Sequence, residues 1–199
     1  MTEVSEEFST DTRNIEYRRH VPGEPSMWFF VIGDLFIFGA YFVGYMYYRG
    51  EDHVIFLQSQ AKLNLNIGAV NTVVLLTSSL FVALGTAAAR AGKTLDALRL
   101  FGAALACGAA FPLLKLFEYI PEITAGMTPG TNLFFMYYYV MTGLHLCHVL
   151  LGLVILCFVI RNLHGSAKPR MSFVETGATY WHMVDVLWLI LFALLYLMR

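Results

Sequence analysis

Hydrophobic residues fall into five blocks, 27–48, 67–89, 98–119, 132–160 and 176–198, separated by connections of about 8 to 18 residues. Each block is long enough to cross hydrocarbon as a helix, which takes about 20 apolar residues. Pro22, Gly23 and Pro25 precede the first block, and Arg49-Gly50-Glu51-Asp52 closes it. Arg90, Gly92 and Lys93 close the second. In the third, Pro112 should bend the helix and Pro121 should stop it. Its centre is rich in small residues. Ala104 and Gly108 are four apart, as are Ala106 and Ala110, the spacing that lets helices approach closely in lipid. The fourth block exceeds what a bilayer needs, so it tilts or projects. Trp28, Tyr45, Tyr47 and Tyr48 stand where an interfacial aromatic belt is expected. The predicted fold is all-α, a polytopic membrane bundle of five transmembrane helices over residues 27–199. A polar tail, 1–26, precedes it.

Composition agrees with this pattern. Of 199 residues, 58% are hydrophobic and only 14% charged, against roughly 25% charged in soluble domains. Mean hydropathy is +0.62. A net charge of −1 argues against nucleic acid as a partner. The tail lacks the apolar core of a signal peptide and reads as solvated chain. Cys107, Cys147 and Cys157 all fall inside apolar blocks without C-x-x-C spacing, so they read as small core residues. Basic residues set the orientation. Arg13, Arg18, Arg19, Arg90, Lys93, Arg99, Arg161, Lys168 and Arg170 lie on one side, and Arg49, Lys62 and Arg199 on the other. This asymmetry places the N-terminus in the cytoplasm and the C-terminus in the periplasm, with a bacterial inner membrane as the expected home.

Polar groups inside the spans need a reason, because charge at membrane depth is expensive. Lys115/Glu118, His145/His148 and His182/Asp185 each stand three residues apart, hence on one helix face. Asp34 and Asn71 add single polar positions to the first two spans. At about 1.5 Å per residue, Asp34, Asp185 and His148 lie about 10, 13 and 18 Å from the inner end, within reach of one layer. Lys115 and Glu118 lie near the outer end, as a separate site. Buried charge is avoided by pairing or neutralising. Lys115 is therefore expected to pair with Glu118, and Asp34 or Asp185 to meet a histidine or carry a proton. The His182/Asp185 pair is expected to tie the last span to the fourth, through His145 or His148.

Catalytic and cofactor readings are thin. A metal needs about three or four ligands, and a carboxylate-bridged di-iron bundle needs repeated Glu-x-x-His, which this chain lacks. No nucleophile–base constellation or phosphate loop occurs. The expectation is no catalytic residue, no metal site and no cofactor of its own. A proton-conducting or transporter bundle using Asp34, His145, His148, His182 and Asp185 is the competing reading. No pair of spans broken at the midplane supports it.

Four motifs, with a first-span match beside them, carry a resemblance. Tyr180-Trp181-His182-Met183-Val184-Asp185-Val186-Leu187-Trp188 closely resembles the final-helix signature of subunit III of the haem-copper oxidases. Thr142-Gly143-Leu144-His145-Leu146-Cys147-His148-Val149 resembles that family's T-G-x-H-x-x-H-V stretch. Asn71-Thr72 through Ser78-Ser79 resembles its N-T-x-x-L-L-x-S-S segment, and Glu118-Tyr119 its E-Y pair. Gly33-Asp34 matches its first-span acidic motif, with aspartate where glutamate is usual, and Lys115 replaces a usual glutamine. With the short five-span form, these departures look most like the NorE branch, associated with bacterial nitric oxide reductase. Subunit III of a cytochrome c or quinol oxidase is the alternative. The resemblance implies a non-catalytic accessory subunit. Its partner would be a catalytic subunit carrying haem, with copper or iron, and phospholipid would be bound.

Overall fold

The computed structural model describes residues 25–165 and 169–198. The expected tail up to residue 24 lies outside the described residues. So do five of the residues used to orient the chain, Arg13, Arg18, Arg19, Lys168 and Arg199.

Among the described residues the chain is all helical. The elements are α1 (Pro25–Glu51), α2 (His53–Gln60), α3 (Leu65–Arg90), α4 (Thr94–Thr124), α5 (Leu133–Gly165) and α6 (Met171–Phe192). A π-helical turn, Ala193–Leu197, extends α6. Five helices are long and apolar enough to cross a membrane. Most of their ends overshoot the expected spans, by five residues at the ends of α4 and α5 and at the start of α6. There Glu175 pairs with Arg90 of α3 at 2.9 Å, so the charge no longer marks a boundary. The stretch after Glu51, expected as a connection, contains α2. Its Phe56 packs edge-on to Tyr45 and Phe134, and its Ser59 hydroxyl accepts from Asn132 Nδ2 at 2.8 Å. Tyr45 itself is fully buried and donates to the Leu194 carbonyl, so it belongs to the core rather than to an aromatic belt.

Pro121 does not stop α4. Proline removes one backbone donor but leaves its own carbonyl able to accept, and Ala125 N–H bonds to it at 3.0 Å. The stop is Gly126, at φ +80°, where the amides of Gly126 and Met127 close onto Ile123 and Glu122. A left-handed glycine just past the last turn is the usual helix terminator. The extra turn carries Glu122 into the protein, at 5% exposure.

The last helix is the hub. It packs against α1, α3 and α5, and 61% of its apolar window is buried, against 11% for α1. Trp181 explains the small residues of α4. A Cβ on Gly108 would stand 2.6 Å from its ring, and one on Gly152 of α5 would stand 2.8 Å from it. The indole is thus lodged between notches on two neighbouring helices. In hydrocarbon, where helices gain nothing by hiding apolar surface from one another, such fitted contacts hold a bundle together. Gly177 lets α6 approach α5 in the same way, with Val159 at 2.8 Å from its would-be Cβ.

The cysteines depart from expectation. Cys147 and Cys157 are exposed and Cys107 only half-buried. The outer face of a membrane helix is as apolar as its inner face, so an apolar cysteine need not be a core one. A substitution test follows from the notches. Gly108→Ala should destabilise the bundle by about 1–3 kcal/mol, the usual range for overpacking. Gly102→Ala on the same helix meets nothing within 4 Å and should leave the thermal unfolding midpoint in detergent near the wild-type value.

Candidate functional site

Buried polar side chains collect in three places. The densest lies where α4, α5 and the π turn meet. Lys115 is fully buried, and its ammonium spends all three donors. It reaches Glu118 Oε2 at 2.7 Å, Tyr196 hydroxyl at 2.7 Å and Tyr138 hydroxyl at 3.2 Å. The rings of Tyr119, Tyr138, Trp188 and Tyr196 surround the same ammonium at 5.0–5.4 Å, within cation–π range. Tyr196 donates to the other oxygen of Glu118, closing a triangle of lysine, glutamate and tyrosine. Beyond it, Tyr138 and Tyr139 each reach Glu122 at 3.4 Å, and Tyr139 also donates to the Met127 carbonyl at 2.8 Å. Tyr119 and Thr142 share a short hydrogen bond next to the cluster.

Sequence reasoning singled out Lys115 and Glu118 but missed Glu122, Tyr138, Tyr139 and Tyr196. Glu122 stands four residues past Glu118, on the same helix face. It was hidden by the expectation that α4 ends at Pro121. The tyrosines gave no signal in a chain with eleven of them.

The second place joins α1 to α5. His148 Nε2 lies 3.2 Å from Asp34 Oδ2, while Nδ1 lies 2.7 Å from the Leu144 carbonyl. A carbonyl only accepts, so Nδ1 carries a hydrogen. Nε2 and the carboxylate then need one proton between them, either as imidazolium with carboxylate or as imidazole with carboxylic acid. Oδ2 has no aligned hydrogen-bond partner among the described residues. Tyr180 closes this corner by donating to the His148 carbonyl at 3.2 Å.

The third place joins α3 to α6. Ser79 Oγ lies 2.7 Å from His182 Nδ1, and Asp185 lies near the same serine. His182 and Asp185 are not joined to each other by a hydrogen bond or ion pair. Their tie runs to the second span, not to the fourth as expected. The reason is the geometry of α6. Gly177, Tyr180 and Trp181 form its face toward α5, which turns residues 182 and 185 toward α3. Asp34 and Asp185 therefore meet different partners, His148 of α5 for the first and Ser79 of α3 for the second.

Two further expected residues stand apart. His145 and His148 leave α5 in different directions. His145 is fully buried beside Phe111 and Trp188, and neither ring nitrogen has a hydrogen-bond partner. The expected hydrogen bond is not made, because the aromatic rings offer no acceptor. Asn71 is likewise fully buried with both amide atoms unpaired. Its neighbour Thr72 takes the role, accepting from Trp188 Nε1 at 3.0 Å. Among the described residues no three His, Cys, Asp or Glu side chains converge as metal ligands.

These sites can bind helices together and hold protons. The buried ion pair sets up a direct energetic test. Lys115→Met strands the buried Glu118 carboxylate without its cationic partner and should cost about 3–5 kcal/mol. Combining it with Glu118→Leu should recover most of that loss. Thermal unfolding of the two variants checks both, and equal losses would show that the pair is not a unit.

Comparison with known proteins identifies the chain. The family model described as cytochrome c oxidase subunit III matches residues 24–199. The chain is 34% identical to a cytochrome c oxidase subunit 3 of Synechocystis over 172 residues, covering 85% of this chain and 72% of that protein. It is 32% identical to the same subunit of Thermostichus vulcanus over 173 residues, covering 85% of this chain and 84% of that one. It is also 27% identical to a haem-copper oxidase subunit I+III of Aeropyrum pernix over 180 residues, covering 86% of this chain and 22% of that longer protein. With nearly its whole length matched, the chain belongs to the cytochrome c oxidase subunit III family.

Proposed function

We propose that this protein is the accessory subunit III of a haem-copper oxidase in aerobic electron transport. Its electron donor would be cytochrome c or a quinol. The observation that carries the reading is the family match over residues 24–199. The Aeropyrum relative adds the partner, since its name joins subunits I and III in one chain. In this reading the haem and metal chemistry belongs to the catalytic subunit. The present chain contributes a rigid flank and sites for phospholipid. Its first helix suits that role. Phe29, Phe36 and Val43 recur every seven residues on α1 and are 83%, 80% and 71% exposed, forming an apolar ridge for lipid or partner. The N-terminus lies in the cytoplasm and the C-terminus in the periplasm of a bacterial inner membrane.

Asp34 and Lys115 favour a second reading, the NorE branch associated with nitric oxide reductase. Both depart from the usual oxidase residues. Two substitutions weigh less than the oxidase names of relatives matched over most of their length, and the oxidase reading is preferred.

The test is purification from native membranes. The chain should co-purify with a haem-bearing catalytic subunit whose complex consumes oxygen. A co-purified complex that reduces nitric oxide instead would assign the second reading. A monodisperse protein with no haem partner would overturn both.

A further inference from the structure

At the end of the bundle where α3 finishes and α6 begins, a cleft of about 280 Å³ opens between these two helices. Its walls are short side chains, Ala83, Thr86 and Ala87 from α3 and Ala178 and Thr179 from α6. Arg90 and Glu175 also line it, and their 2.9 Å ion pair is half-open to the outside, with the arginine side chain 56% exposed. His182 lines it as well. The imidazole is committed on one side only. Nδ1 meets Ser79, while Nε2 has no hydrogen-bond partner and is not sealed within the protein. Asp185 lies near the serine, 6% exposed, with Oδ1 buried and unpaired.

An ionic mouth and threonine walls suit water better than an acyl chain, and the volume holds several molecules at about 30 Å³ each. A histidine between water and a hydroxyl can take a proton at one nitrogen and release one from the other. We propose that the α3–α6 cleft is a water-filled proton site, in which His182 relays protons between the cleft and the buried carboxyl of Asp185 through Ser79. A proton from cleft water binds Nε2. The Nδ1 proton then passes to Ser79 Oγ as the serine's own hydroxyl proton passes to the Asp185 carboxylate. The imidazole ends in its other tautomer, and return of the proton along the same path restores it.

The charged and titratable groups about this path are Arg90 on α3 and Glu175, His182 and Asp185 on α6. Of the α5 histidines, His145 faces Trp188, His148 faces Asp34, and His164 does not line the cleft. The site is one-sided. Among the described residues no chain of hydrogen bonds links it to Lys115. This proposal goes beyond the accessory-subunit reading and does not depend on which gas the partner reduces.

Two measurements on membranes holding the assembled complex test it. With the three native cysteines replaced by serine, Ala178→Cys should react readily with a membrane-impermeant cationic thiol reagent, and lipid-facing Val154→Cys should not. Equal, slow reaction at both positions would mean that the cleft holds no water and would overturn the proposal. Second, the infrared band lost in Asp185→Asn should follow a pH jump in the otherwise native complex. His182→Phe should slow that response about a hundredfold, the low end of what a positioned proton-transfer side chain contributes. His182→Gln, which keeps the link to Ser79 but cannot relay, should be equally slow. A band that ignores pH, or one that responds at native speed in both variants, overturns the relay. Loss of the haem partner on purification would bear on the accessory-subunit reading and leave these readouts unaffected.

Discussion

A lysine ammonium shut away from water dictates the arrangement of one whole end of this bundle. Lys115 has three hydrogens to place and no solvent to take them. The fold answers with acceptors from three separate segments: Glu118 from its own helix, Tyr138 from α5 and Tyr196 from the π turn. Each acceptor is then held in turn, Glu118 by Tyr196, and Tyr138 by its reach to Glu122. The helices cannot slide past one another here without exposing a charge to hydrocarbon. Where side chains are merely apolar, sliding exchanges one greasy neighbour for another and carries little penalty. The ionic cluster therefore sets the register at which the apolar surfaces meet.

The rest of the packing is a matter of shape. Trp181 is the clearest case, because its ring fits only where two glycines on different helices face each other. Small-residue spacing in α4 usually signals two backbones in close approach. Here one of those glycines receives an aromatic ring from a third helix. The final helix supplies this ring, the indole that donates to Thr72, the groups that reach Ser79 and the tyrosine that meets Lys115. That explains why so recognisable a motif lies in the last span. It is the element that touches nearly everything else.

Hydropathy made five spans legible, and the three-residue spacing of polar pairs identified most of the buried charges. Which way those pairs point was not legible. In a soluble helix the apolar stripe marks the inside, whereas in lipid both faces are apolar and the stripe disappears. That is why Cys147 and Cys157 read as core yet face outward, and why Tyr45 read as interfacial yet is buried. Partners were hidden for a second reason. Ser79, Tyr138 and Tyr196 carry no formal charge and give no signal until the helix beside them is placed. Pro121 misled for a third, since the residue that ends a helix is often the glycine beyond it.

The π turn at Ala193–Leu197 has a consequence for the history of the last helix. Its Met198 amide bonds five residues back, to Ala193, at 2.9 Å. Such a widened turn is how a helix absorbs one surplus residue without disturbing what precedes it. Tyr196 thereby takes the place that position 195 would hold in an uninterrupted α-helix, two turns above Trp188 and on the same side of the helix. Both rings then face the one ammonium. The signature through Trp188 and the tyrosine beyond it are thus in different phases of the same helix. Deleting a single codon after position 192 would therefore straighten the helix and still leave the tyrosine beside Lys115, while Trp181, Asp185 and Trp188 stayed where they are.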